Sequence, residues 1–336
     1  MMFNAVFAGE KDGYQLKRVY NAKTREKLDS KLNFLDSIIT YGNFKTHKKD
    51  LESVEYLFST WGMPCFDEKE IKEYFPALRA VFYAAGSVQG FARPFFECGI
   101  RVFCAAAINA IPVAEFTSAQ ILLANKGYYQ GIVKYKSKGW QAANEYCNSF
   151  PGNYGGKIGI LGAGRIGKEV IKLIKPYHYQ IYVFDPFLSK EEADILGVKL
   201  MDLTEIFKEC PVITNHLANN SDTVGILDYK LFSMMKDNGT FINTGRGAQV
   251  VEAGLIQAMK EKPNRTALLD VTFPEPPIAF DELYSMDNVF LSPHIAGSSG
   301  DEVERMGNCM YEEFLAFSEA RNLQYEVTVT MLETMA

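Results

Sequence analysis

Short apolar runs alternate with longer mixed segments along almost the whole chain. In the first hundred residues the β-rich runs are Ala5–Ala8, Asp36–Thr40, Glu55–Thr60, Arg79–Ala84 and Arg101–Ala105. Helix-like segments, Thr24–Leu35 and Asp67–Phe75 among them, lie between these runs. Such alternation predicts βαβ units around a parallel sheet. From Val113 to Tyr129 the apolar spacing is near 3.6 and the content of Ala and Leu is high, which predicts a long buried helix. Residues 130–156 are rich in Gly, Asn and Tyr without a clear period, and are expected to form an arm or loop that packs against a second subunit.

A second alternating series begins at Lys157. Its predicted strands are Lys157–Leu161, Gln180–Phe184, Val198–Met201, Pro211–His216, Gly239–Asn243, Thr266–Val271 and Val289–Ser292, and helical patterns separate them. An amphipathic helix from about Asp301 to Ala320 follows. The pattern therefore predicts an α/β chain with two doubly wound parallel-sheet domains, and no internal repeat accompanies it.

Composition narrows the class of partner. The chain has 336 residues, is 47% hydrophobic and 23% charged, and carries a formal net charge of −6. An acidic balance argues against nucleic acid and against an anionic membrane surface. No purely apolar run reaches bilayer-spanning length, and the N-terminus lacks a basic leader, so a cytoplasmic protein is expected. Six scattered cysteines without a Cys-x-x-Cys pair fit reduced thiols, and the four histidines have no metal-ligand spacing, so no metal is expected.

The strongest single motif is Gly162-Ala-Gly164-Arg165-Ile166-Gly167, set between an apolar run and a helical one, with Asp185 closing the next strand. Gly162 permits a tight turn, Gly164 lets backbone approach a pyrophosphate, and Gly167 lets the helix pack on the strand. The N–H groups at the helix start, those of Arg165 and Ile166 included, attract phosphate. Asp185 suits the ribose hydroxyls and repels a 2′-phosphate, so NAD is expected rather than NADP.

Three later strand ends each offer one polar group: Arg246, flanked by glycines; Glu275, in a proline-rich loop; and His294, after Pro293. A guanidinium there can clamp a substrate carboxylate through two parallel bonds. Histidine carries a proton near neutral pH, and a carboxylate beside it would hold the ring and keep its acid form available. His216 is open to two readings, contact with the cofactor or a structural role.

Together these segments resemble the D-isomer-specific 2-hydroxyacid dehydrogenase family, in its phosphoglycerate- and glyoxylate-reductase-like branch. The resemblance rests on Gly162–Gly167, Phe184-Asp-Pro186, Asn243-Thr-Gly-Arg-Gly247, Leu269-Asp-Val-Thr-Phe-Pro-Glu-Pro276, Asn288–Gly297 and Asn109-Ala-Ile-Pro-Val-Ala-Glu115. It implies a flavodoxin-like substrate domain, residues 1–112 completed by 299–336, and a Rossmann NAD-binding domain, 113–298. It further implies that Arg246 binds substrate, that Glu275 supports His294 as acid/base, and that Asp270, Thr244 and His216 lie with the cofactor. The loop Ala85-Gly86-Ser87-Val88 would offer its N–H groups to the substrate carboxylate, with Trp61 as a wall of the pocket.

The expected activity is hydride transfer between NAD(H) and a small 2-oxo or D-2-hydroxy acid, by a homodimer. Glu275 argues against formate dehydrogenase-like chemistry, for which the resemblance would lead one to expect Gln. The alternatives are an NAD(H)-sensing scaffold of the same fold, as in the C-terminal-binding-protein corepressors, and a dehydrogenase of a donor other than a hydroxy acid.

Overall fold

The computed structural model describes residues 2–278 and 282–333 and divides into two compact units, 1–110 with 298–335, and 111–297. The first unit is built on parallel strands β1 (Phe3–Ala8), β2 (Leu32–Phe34), β3 (Tyr56–Ser59), β4 (Ala80–Tyr83) and β5 (Arg101–Cys104). The second is built on β6 (Lys157–Leu161), β7 (Gln180–Phe184), β8 (Lys199–Leu200), β9 (Val212–Asn215), β10 (Thr240–Asn243), β11 (Thr266–Leu269) and β12 (Val289–Leu291), all parallel. A last strand, β13 (Glu326–Val327), returns to the first sheet.

The first sheet has the order β13-β5-β4-β3-β1-β2, and the second β12-β11-β10-β9-β6-β7-β8. Most central strands are buried along their whole length, as expected of a parallel sheet covered on both faces. Alternation along one strand sorts side chains between two cores: in β1, Val6 and Ala8 enter one cluster, Ala5 and Phe7 the other. Phe58, Phe82 and Phe103 stack across adjacent strands at 5.0–5.1 Å, and Phe314 of the C-terminal helix Val303–Ser318 meets Phe82 edge-on. That helix thus completes the first unit.

β13 was not expected from the sequence. It runs antiparallel to β5, pairing Glu326 with Phe103 and Val327 with Val102, so the first sheet is parallel except at this edge. Two residues carry too little pattern to read. Its placement comes instead from Glu313, a buried carboxylate on the C-terminal helix that accepts the N–H groups of Gln324 and Tyr325, both at 2.9 Å. Arg101 and Glu326 add a bidentate pair along the same edge.

Other departures have local causes. The helix expected over Thr24–Leu35 spans Ala22–Asp29, capped by Asn21, and the apolar residues beyond it form β2. β1 pairs with β2 only through Phe3, Asn4 and Ala5, so the segment expected as a strand over Asp36–Thr40 contributes one bridge, Ile39 to Ala8. The helix expected from Val113 starts at Ala106 and runs to Ala124, with Pro112 inside it. By length and composition alone that helix could cross a membrane, yet Val113, Ala114, Thr117, Ile121 and Ala124 are buried in protein.

Residues 130–156 are largely helical rather than loop-like. Two helical stretches within Tyr128–Cys147 meet at Gly139, whose φ of 82° reverses the chain. A Cβ on Gly131 would lie 2.6 Å from Cys147 Sγ, and Lys134 sits 4.7 Å from the Tyr146 ring, so the second stretch folds back on the first.

The Glu313 contact generates a stability prediction. Glu313→Ala removes the acceptor of two part-buried N–H groups and should lower unfolding stability by about 1–2 kcal/mol, whereas Glu313→Gln retains an acceptor and should cost much less. Urea unfolding followed by circular dichroism checks the difference.

Candidate active site

The second sheet reverses its order between β6 and β9, the position where open α/β sheets bind ligands. The loop after β6 holds Gly162–Gly167. Gly162 has φ 89°, and a Cβ there would lie 2.7 Å from the carbonyl oxygen of His216. A Cβ on Gly167 would lie 2.1 Å from the Gly162 carbonyl oxygen, so only glycine lets the helix Arg165–Ile174 start this close to the strand. A Cβ on Gly164 would meet nothing within 4 Å. No side chain caps this helix among the described residues, and its first N–H groups face that open space. A dinucleotide pyrophosphate fits this cradle by charge and by room.

Asp185 has a second task that the sequence did not reveal. Its Oδ2 accepts the Ala163 N–H at 2.7 Å and its Oδ1 the Phe187 N–H at 2.8 Å. The carboxylate therefore ties the glycine-rich loop to the end of β7. Each oxygen keeps a lone pair for a hydroxyl donor.

His216 follows β9 and is buried. Its Nε2 lies 3.0 Å from Thr214 Oγ1 and its Nδ1 3.4 Å from Thr244 Oγ1, which in turn lies 3.1 Å from Thr117 Oγ1. With both ring nitrogens engaged internally, the structural reading of His216 is the better supported. Burial without an anionic partner pushes its pKa down to about 3, so the ring is neutral. Thr244 belongs to the same hydroxyl chain.

Arg246, Glu275 and His294 come together after β10, β11 and β12. His294 Nδ1 lies 2.5 Å from Glu275 Oε1, and the ring Nε2 has no partner among the described residues. His294 has φ 53°, a left-handed backbone that a non-glycine residue adopts only when its surroundings hold it there. Asp270 supplies that hold. Its buried carboxylate accepts from Ser292 Oγ at 2.5 Å and from the N–H groups of Ile295 and Ala296 at 2.9 Å, while its carbonyl accepts the His294 N–H at 3.0 Å. Burial lowers the Arg246 pKa and the nearby Glu275 charge offsets part of that. A Cβ on Gly247 would strike the Thr272 carbonyl carbon at 2.0 Å, so the Arg246 and Glu275 loops touch backbone to backbone.

A buried amide network supports the Arg246 turn and was missed in the sequence. Asn215 Nδ2 donates to Asn243 Oδ1 at 3.0 Å and to Gln249 Oε1 at 2.7 Å. Gln249 Nε2 donates to the carbonyls of Leu217 and Ala218, both at 2.9 Å, and its Oε1 accepts the Arg246 N–H at 3.3 Å. The available signal was that two apolar strands, β9 and β10, both end in Asn.

In the first unit, Trp61 is half-buried against both cores. Ala85 is fully buried and its N–H is taken by the Tyr83 carbonyl, which removes it as a donor to substrate. The N–H groups of Gly86, Ser87 and Val88 have no acceptor among the described residues, leaving three consecutive donors after β4.

Comparison with known proteins gives the family. Residues 118–296 match the model of the D-isomer specific 2-hydroxyacid dehydrogenase NAD binding domain. The chain is 32% identical over 235 residues to D-3-phosphoglycerate dehydrogenase of Archaeoglobus fulgidus, covering 70% of this chain and 44% of that protein. It is 29% identical over 276 residues to formate dehydrogenase of Neurospora crassa, covering 79% and 73%. Its fold resembles that of Rhodotorula graminis D-mandelate dehydrogenase with a TM-score of 0.81 at 17% identity, covering 98% of each chain. The chain spans less than half the length of the D-3-phosphoglycerate dehydrogenases it matches first.

The neutral His216 makes stability depend on pH with a definite sign. Its folded pKa of about 3 lies below the ordinary value of 6.5, so the unfolded chain binds the extra proton. The His216 contribution is fully present above about pH 6.5 and is lost as pH falls toward 3, with a slope of up to about 1.4 kcal/mol per pH unit. His216→Gln should flatten the acid limb of a denaturation-midpoint profile, which chemical unfolding between pH 4 and 8 measures.

Proposed function

Because this chain belongs to the D-isomer-specific 2-hydroxyacid dehydrogenase family, we propose that it interconverts a small 2-oxo acid and its D-2-hydroxy acid. The observation that carries this reading is the 2.5 Å pairing of His294 Nδ1 with Glu275, close to a partly desolvated Arg246. Bound NADH supplies the hydride. Arg246 takes the substrate carboxylate as a planar two-donor fork. His294 gives the proton on Nε2 to the carbonyl oxygen in reduction and takes it back in oxidation. Glu275 holds the ring through Nδ1 and compensates its charge when both nitrogens are protonated. The cradle Gly162–Gly167, with Arg165, Ile166 and Asp185, holds the dinucleotide, and the Asp185 carboxylate disfavours a 2′-phosphate. Asp270 acts on this site at least through the His294 loop.

The carboxylate at position 275 separates this reading from formate dehydrogenase-like chemistry. A nucleotide-sensing scaffold would need the cradle but not the His294–Glu275 pair. Six cysteines without a disulfide support a cytoplasmic location. The helical hairpin 128–147 exposes Ile132, Tyr135 and Trp140, and this apolar surface supports self-association into a homodimer.

Two measurements follow. His294→Ala should lose more than about a thousandfold in turnover of 2-oxo acids while still binding NADH by fluorescence titration; turnover like the wild type would sink the mechanism. Trp140→Glu should halve the mass seen by light scattering if the hairpin forms the dimer contact, and an unchanged dimer would remove that surface from consideration.

A further inference from the structure

In the first unit the strand order reverses at β1, which pairs with β2 on one side and β3 on the other. By the rule that governs open α/β sheets, ligand meets the loops after β1 and β3 and their neighbours. The charge carried by those loops bears on which acid they can hold. From Thr60 to Phe66, from Ala84 to Phe91 and from Ala105 to Ile111 there is no formally charged residue. The loop after β1 holds Glu10, Lys11 and Asp12, which sum to −1.

Glu10 is turned toward the β3 loop. A Cβ added at Gly62 would lie 2.5 Å from Glu10 Cγ and 3.3 Å from its Oε1, so the carboxylate rims the Trp61 loop. Trp61 and Met63 pack partly buried against the core and give this face an apolar wall. The three free N–H groups at Gly86–Val88 provide for one anion. A phosphate ester adds close to two more negative charges and is ordinarily met by Arg or Lys. These loops offer it two carboxylates, Glu10 and Asp12, against the single cation Lys11.

We propose that the substrate is a 2-oxo acid whose carboxylate is its only charge, with an aliphatic or hydroxyalkyl side chain set against Trp61 and Met63. Glu10 is the specificity residue that rejects phosphorylated and dicarboxylic acids. The proposal rests on the dehydrogenase reading and narrows it.

The test is NADH oxidation by the intact protein with hydroxypyruvate, 2-oxobutanoate, 3-phosphohydroxypyruvate and oxaloacetate. Hydroxypyruvate should exceed its phosphate ester roughly a hundredfold in kcat/KM, because like charges set close together are strongly disfavoured. Glu10→Gln should narrow that ratio about tenfold and Glu10→Lys further, chiefly through the KM of the phosphorylated acid. Equal or better use of phosphohydroxypyruvate or oxaloacetate by the wild type would overturn the proposal while leaving the dehydrogenase reading intact. A ratio unmoved by either substitution would overturn the role of Glu10. Failure to reduce any 2-oxo acid would remove the dehydrogenase reading, and this proposal with it.

Discussion

The carboxylate of Asp270 is the constraint on which the His294–Glu275 pair depends. It sits buried at the end of β11 and accepts three hydrogen bonds, all from the segment Ser292–Ala296. A buried charge with that many donors is stable only if the donors stay in place, so the loop is held as firmly as the carboxylate. Held this way, His294 keeps a left-handed backbone whose cost is of order 1 kcal/mol or more for a side-chain-bearing residue. That conformation turns Nδ1 onto Glu275 and leaves Nε2 open. Removing the Asp270 carboxylate would free the loop to relax, and the His294–Glu275 pairing would go with it.

A second constraint acts on Arg246. Its side chain is partly desolvated, which is unfavourable for a cation without a ligand. The turn that carries it is held by neutral amides. Asn215, Asn243 and Gln249 satisfy one another and the surrounding carbonyls inside a buried space where an unmet donor would be costly. The same Gln249 binds the carbonyls of Leu217 and Ala218, in the segment that follows β9 at the reversal of strand order. The Arg246 turn and the dinucleotide face therefore share one rigid support. Displacing either displaces the other, so the Arg246 turn is pre-organised.

What could be read from residues alone follows from this division of labour. The convergence of Arg246, Glu275 and His294 was legible because each follows an apolar run and carries a chemistry that loops seldom need. The glycine cradle was legible because its spacing has a steric reason, and the close contacts of Gly162 and Gly167 show that reason acting. The supporting groups were not legible. Asn215 and Gln249 look like ordinary polar residues until strand register sets Asn215 beside Asn243. The hairpin 128–147 escaped because its glycines and tyrosines mask the period, and Gly139 splits it into stretches too short to show one. β13 depends on Glu313, eleven residues away from the first N–H it accepts, a relation no local pattern carries.

The two units show how one topological rule yields different chemistry. Both sheets reverse order beside their first strand, and both place loops at that point. In the second unit the loop is rich in glycine and offers backbone donors, which suit a large polyanion without demanding a particular side chain. In the first unit the corresponding loops carry Glu10, Trp61 and Met63, side chains of distinct charge and shape. Recognition of a common cofactor needs backbone, because backbone donors satisfy phosphate whatever else varies around them. Recognition of one acid among many needs side chains, because only they differ from protein to protein. Backbone donors thus gather in the loop of the second unit, and side chains of distinct charge and shape in the loops of the first.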